Sequence, residues 1–264
     1  MGGAGAAAAL LLALPAAAQV VPNRATEYLH PSDVSDARAV WLNPAGLAVR
    51  REASVHADLT AGDPGSHGRL NQVTAGFSSR GIAVAYQWDR LAGASNGHTY
   101  RIGWATSTEK VGFGFAGTVY RGDTKASGFD LGVLYTPRSD VTLSAAVASI
   151  GQPRVRGVQQ PVTLTPSITL RAFGGGAAVS AQARLLQGEE MGLAFGLRAG
   201  ATRRLPVGIL VRLDSDGSLR RAGFAFGLSW GARDQLGAVV TTPGDVSNVD
   251  AAGVYGVASR DLER

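Results

Sequence analysis

The sequence predicts an all-β protein, a transmembrane antiparallel β-barrel of about 14 strands with an N-terminal plug, or hatch, segment. Three observations lead there. From residue 53 onward large apolar residues recur at every second position, as in Ile82, Val84, Tyr86 and Trp88 or Phe224, Phe226, Leu228 and Trp230; this is the period of a strand. The positions between them hold Gly, Ala, Ser and Thr with single arginines, where the solvent face of a soluble sandwich would carry Lys, Glu and Asp. A confined interior of small side chains suits a barrel lumen, and the apolar face then meets lipid. The connections, finally, alternate in length. SSRG, STEK, TPRSD, FGGG, TRRLP and GARD are short, whereas AGDPGSHGR, DRLAGASNG, IGQPRVRGVQQPVTLTP, DSDGSLRR and TTPGDVSNVDAAG are longer, as the periplasmic turns and outer loops of such a barrel require. RGDTKAS and LQGEE depart from the rule, being little longer than the turns.

Each element follows from its own residues. Residues 1–18, MGGAGAAAALLLALPAAA, hold an apolar run too short to span a bilayer, closed by the small residues Ala16, Ala17 and Ala18. This is the pattern of a secretory signal peptide with Gln19 starting the mature chain, although no Lys or Arg precedes the run. Residues 19–52 carry apolar anchors, Trp41, Leu42 and Leu47, around an Asn43, Pro44, Ala45, Gly46 turn. Asn43 can cap the local backbone, Pro44 fixes its φ and Gly46 permits a tight reversal, so the segment is expected to fold compactly inside the lumen. Residues 53–264 form the barrel, with strands beginning near residues 53, 70, 81, 98, 111, 127, 141, 166, 177, 191, 207, 222, 234 and 253. Runs of roughly seven to eleven residues suit tilted strands that cross a hydrocarbon layer. Trp88, Tyr100, Tyr135 and Trp230 fall near strand ends, where interfacial aromatic girdles sit.

Alternation directs Arg101, Arg171, Arg184, Arg198 and Arg212, with Asp130, toward the lumen. Unpaired charge in a confined site is costly, and Glu27, Asp33 and Asp36 of the preceding segment are the candidate partners. Trp41 and Leu47 are expected to pack on small lumen residues.

The stretch DVSDARAVWLNPAGLAVRRE, residues 33–52, resembles the N-terminal hatch of the FadL-like outer-membrane transporters, the long-chain fatty-acid and hydrocarbon channels that include the PorV/PorQ-type barrels. The matching positions are Asp36, Ala37, Ala39, Asn43, Pro44, Ala45, Gly46 and Leu47. The resemblance implies a fourteen-stranded barrel in the bacterial outer membrane and a hatch motif at Asn43, Pro44, Ala45, Gly46 and Leu47. It also implies a passive channel for small hydrophobic solutes, with membrane lipid around it and the barrel-assembly machinery as its folding partner.

The same residues exclude other classes. No cysteine is present, which removes disulfide scaffolds and thiolate metal sites. The formal charge of +5 comes from scattered arginines, so no nucleic-acid footprint is indicated. GLSWG around Ser229 and GFGFAG from Gly112 to Gly117 match nucleophile-elbow and dinucleotide patterns. Both lie within strand patterns, where neither motif has its helix. RGD, residues 121–123, has ordinary turn chemistry. His30, His56, His67 and His98 lack ligand spacing, so no metal, cofactor or catalytic residue is assigned; a serine partner for His56 is not specified by the sequence. The loops are short for a transporter of this type, and the chain ends in GVASRDLER without a terminal aromatic residue. The alternative reading is therefore a non-transporting barrel serving as a membrane anchor or assembly platform, truncated or continuing into a longer protein.

Overall fold

The computed structural model describes residues 23–62, 69–90, 96–122, 125–155, 157–186, 191–200, 206–216, 222–231, 234–242, 249 and 251–262. The signal peptide expected at residues 1–18, the start of the segment at Gln19, His67, Asp123 of the RGD tripeptide and the tips of most longer connections lie outside them.

Residues 23–51 precede the sheet and contain two short helices, α1 (Arg24–Glu27) and α2 (Ala39–Leu42), and a 3-10 turn at Pro44–Ala48. The strands follow in order: β1 (Glu52–Gly62), β2 (Arg69–Ser79), β3 (Ile82–Asp89), β4 (Gly97–Ser107), β5 (Val111–Arg121), β6 (Ala126–Arg138), β7 (Val141–Ile150), β8 (Arg154–Val155), β9 (Val158–Gln159), β10 (Thr163–Ala172), β11 (Ala177–Leu186), β12 (Gly192–Ala199), β13 (Val207–Asp216), β14 (Ala222–Trp230), β15 (Gln235–Thr242) and β16 (Ala251–Asp261). Fourteen of them form one closed antiparallel barrel in which each strand pairs with its neighbours in sequence, while β8 and β9 make a separate ribbon in the connection between β7 and β10. Every barrel strand starts within three residues of its expected position. The last strand, β16, pairs with β1 from Glu52↔Asp261 to Gly62↔Ala251, so the sheet has no open edge. That closure is what a hydrocarbon surround demands, because no water is present there to satisfy an edge.

The pleat sorts the residues into two faces of inverted polarity. Along β1 the buried positions are Glu52, Ser54, His56, Asp58 and Thr60, and the outward ones include Val55 and Leu59. The same holds around the barrel. Ile102 is 65% exposed, Trp104 54%, Phe195 53% and Leu197 58%, while Gln72, Gln87 and Thr169 are at most 2% exposed. An apolar band of this extent is far larger than a water-facing monomer presents, and its place is in lipid. Phe113 and Phe115 point outward from β5 with Gly112 and Gly114 inward, and GLSWG lies wholly within β14 except for its final glycine.

The two ends of the barrel differ. At one, tight reversals join the strands: Ser79 pairs with Ile82 across Arg80 and Gly81, both at positive φ (50° and 83°), the backbone of a two-residue hairpin whose twist matches its strands. Residues 50 and 51, which lead into β1, and Leu262, whose N–H donates to the Arg51 carbonyl at 3.0 Å, lie at this same end.

Candidate functional site

The interior of the barrel is the site that the sequence singled out, and residues 23–51 lie against its inward-facing side chains. Asn43 organises the 3-10 turn. Its backbone is extended (φ −151°, ψ 102°), its Oδ1 accepts from the Ala45 N–H at 3.1 Å, and Pro44 occupies the first helical position, where its missing N–H costs nothing. Asn43 Nδ2 reaches across to donate to the Val133 carbonyl of β6 at 3.2 Å. Pro44, Ala45 and Leu47 are buried. The wall accommodates them by having no side chains there: a Cβ on Gly114 would overlap Pro44 and Ala45 backbone atoms, and one on Gly132 would overlap the Asn43 amide oxygen. Leu47 and Val40 each come within 2.9 Å of where a Gly103 Cβ would stand. The small lumen residues expected beneath the turn are therefore glycines on β4, β5 and β6.

Gly46 is required for a reason other than the one its sequence suggests. Its φ is not positive, so it makes no left-handed reversal. A Cβ there would instead collide with the Val34 carbonyl and stand 2.9 Å from Ala39 Cβ. Close packing within the segment demands the glycine.

Further polar contacts tie the segment to the wall. The Ala37 N–H donates to Ser54 Oγ at 2.6 Å, the Arg24 N–H to Gln72 Oε1 at 2.8 Å, and Ser107 Oγ donates to the Ala48 carbonyl at 2.9 Å. Ser32 Oγ lies 2.7 Å from Thr169 Oγ1, which continues to Ser180 Oγ at 2.8 Å. Apolar contact accompanies them, with Tyr28, Leu29, Val34, Val40 and Leu47 packed against Ala83, Ala85, Ala105 and Ala116 of the wall.

Arg101, Arg198, Arg212 and Asp130 all occupy inward rows, and Arg184 does so near the loop end of β11. Their partners differ from those expected in a regular way. Of the three acids in the segment, only Asp33 bridges to the wall among the described residues, receiving Arg198 at 2.7 Å and Arg171 at 3.1 Å. Asp36 pairs within its own segment with Arg38 at 2.7 Å. Arg101 pairs with Asp130, and Arg212 with Asp214 at 2.6 Å. The reason is the pleat: residues two apart on a strand, or in line on nearby strands, share a face and meet without help from the segment. The wall arginines still contact the segment through its backbone. Arg212 Nη1 donates to the Leu29 carbonyl at 2.9 Å and to that of Glu27, while Arg101 Nη1 donates to the Trp41 carbonyl at 3.4 Å with its guanidinium 5.3 Å from the Trp41 ring centroid. Arg171, also directed inward by its alternation, spans Thr142, the Ser32 carbonyl and Asp33.

Burial shapes the titration of the segment. It pushes the Asp36 carboxyl up, but the charge and hydrogen bonds of Arg38 outweigh it and hold the group below its ordinary range. His30, 4% exposed and wedged against Gly196, is lowered to about 4, first by burial and then by the charge of Arg212, with Asp33 opposing. On β1, His56 is buried with neither ring nitrogen hydrogen-bonded, and Ser54 Oγ is already engaged by Ala37 and Ser78.

A closed fourteen-stranded barrel with an apolar outer face and a polar inner face has the fold of an outer-membrane β-barrel. No protein-family model and no curated protein matches the sequence. Among solved structures, the outer membrane protein Omp33 of Acinetobacter baumannii is similar with a TM-score of 0.51 at 9% identity, covering 81% of this chain and 100% of that one. A mutant of the porin of Rh. blastica gives 0.49 at 9% identity (79% and 99% covered), and the KdgM porin 0.43 at 8% (80% and 99%). At such identities the likeness extends to the fold alone.

Proposed function

We propose that this chain is a bacterial outer-membrane channel of porin-like architecture whose N-terminal segment is a hatch that closes the lumen, and that it passes small hydrophobic solutes in the manner of the FadL-like family. The observation that carries this reading is the seating of Asn43, Pro44, Ala45 and Leu47 on wall positions kept empty by Gly114 and Gly132. A side-chain-free cradle shaped to one turn of the same chain supports a built-in closure. The solute class follows from the resemblance of residues 33–52 to the family hatch. Outer-membrane placement is supported by the apolar band and by the short turns at one end, which would face the periplasm. The closeness of the cradle also favours the second reading, a permanently closed barrel that serves as an anchor or assembly platform.

Removing residues 19–50 tests the closure, and solute uptake by the full chain separates the two readings. The deletion variant should still assemble, migrating differently on SDS gels before and after boiling, and should conduct ions in a planar bilayer where the full chain is closed. A truncated barrel as tight as the full chain would refute the hatch. Uptake of a hydrophobic dye by liposomes holding the full chain, at the rate of protein-free liposomes, would favour the anchor.

A further inference from the structure

The turn end of the barrel holds two openings that the hatch does not fill. One, of about 540 Å³, is lined by Ala48, Arg50, Arg51, Arg80, Ala105, Thr106, Ser107 and Leu262, among others. No carboxylate lies among its described lining residues. The other, of about 750 Å³, shares Arg50 and adds Arg171 and Arg198, which together face the single carboxylate of Asp33, and Asp140, which is taken by Arg138. The guanidiniums of Arg51 and Arg80 make no hydrogen bond or ion pair among the described residues. Both are exposed, and they come from different parts of the chain, the end of the N-terminal segment and the β2–β3 turn.

Arg80 carries a second signal. It sits at φ 50°, a left-handed position that asparagine or glycine fills at less cost, by roughly 1–2 kcal/mol for an ordinary side chain. Like charges converging on a concave opening repel one another unless an anion joins them, and guanidinium is the group that grips phosphate and carboxylate through paired N–H donors. The volume falls within the range of small-molecule sites.

We propose that this turn-end mouth binds a phosphate- or carboxylate-bearing anion, with Arg50, Arg51 and Arg80 as its ligands. The site stands whether or not the barrel transports anything, since it depends on the mouth and not on the hatch opening. Its occupant is either a free small anion or the headgroup of an anionic lipid in the adjoining leaflet; the chemistry is the same.

The test uses the full chain in nanodiscs of phosphatidylcholine, titrated calorimetrically with pyrophosphate at low salt. Saturable binding that weakens as salt rises is expected, with a loss of about ten-fold or more in the Arg51→Gln/Arg80→Gln double variant. Arg121→Gln, at the far end of β5 from the turns, should leave it unchanged. Arg80→Asn guards against misfolding, because asparagine accepts the left-handed backbone while removing the guanidinium, and it too should weaken binding. Adding phosphatidylglycerol to the nanodiscs identifies the source. Competition with pyrophosphate assigns the site to a lipid headgroup, and indifference assigns it to a soluble anion. Absence of saturable binding, or equal losses in the Arg121→Gln control, overturns the proposal.

Discussion

Asp33→Asn should loosen the docking of residues 23–51 more than any other single polar substitution in them. The carboxylate accepts from Arg198 Nε at 2.7 Å, from Arg198 Nη2 at 3.1 Å and from Arg171 Nη2 at 3.1 Å, with its own side chain 12% exposed. Hydrogen bonds to charged groups contribute about 1.5–3 kcal/mol each where fully desolvated, and leaving a buried charge unpaired costs about 3–5 kcal/mol. The arginine side chains here are 23% and 30% exposed, so water recovers part of their solvation. A net loss of about 2–3 kcal/mol in docking the segment is the expected size, equivalent to an increase of about 30- to 150-fold in the open-to-closed ratio. The assay is single-channel recording in a planar bilayer, with the full chain and Asp33→Asn compared at neutral pH. Asp140→Asn, which breaks an exposed pair with Arg138 at the same end, serves as the control and should behave as the parent. If Asp33→Asn opens no more often than Asp140→Asn, the Arg171, Asp33, Arg198 cluster does not hold the segment and the argument from its geometry fails.

Other perturbations probe separate parts of the structure. His30 is held neutral when docked, at about 4 against an ordinary 6.5; its contribution is complete above pH 6.5 and is lost as pH falls through 6.5 toward 4, weakening docking about 30-fold at pH 5. Conductance should rise over that window in the full chain and much less in His30→Gln; identical pH profiles would remove His30 from the account. Gly132→Leu should displace the Asn43 cap and open the barrel without unfolding it, since the added side chain occupies the space of the Asn43 amide; a normally closed channel would show that the cradle is not needed. Leu228→Arg, on the outer face and 44% exposed, should cost about 2–4 kcal/mol in urea unfolding from vesicles. A cost no greater than that of Leu228→Ala would place this residue away from lipid.

The strand pattern was legible because a barrel in lipid imposes the simplest of periods. Each strand needs one apolar row, and the rows of β3, β6, β13 and β14 can be read directly from Ile82, Phe129, Ile209 and Phe224 onward. The direction of the arginines was legible for the same reason, since parity along a strand fixes the face. Parity does not fix partners. Arg212 and Asp214 lie two residues apart in the sequence and pair, yet Arg101 pairs with Asp130 across an intervening strand and Arg198 with Asp33 of the N-terminal segment. The distances that decide among these depend on shear and on how the segment is threaded, neither of which leaves a local trace. The β8–β9 ribbon escaped for a related reason: Arg154, Val155, Val158 and Gln159 are too few to show a period.

The glycines show where local chemistry misleads. Gly46 follows Asn-Pro-Ala and has the signature of a turn glycine, but its backbone is ordinary and its missing Cβ makes room for the Val34 carbonyl. Gly114 and Gly132, which look like generic small lumen residues, are the positions that match one particular backbone turn. A channel lined only for conduction would gain nothing from cutting its wall to the outline of Asn43 and Ala45. A barrel that must release this segment also needs the fit to be broken without unfolding strands, and the contacts fall accordingly: the wall completes its own ladder and several of its own ion pairs, while the segment is held by side-chain contacts, backbone carbonyls and the Asp33 cluster. Separation of the two sets of interactions is what would allow the hatch to leave a barrel that remains closed on itself.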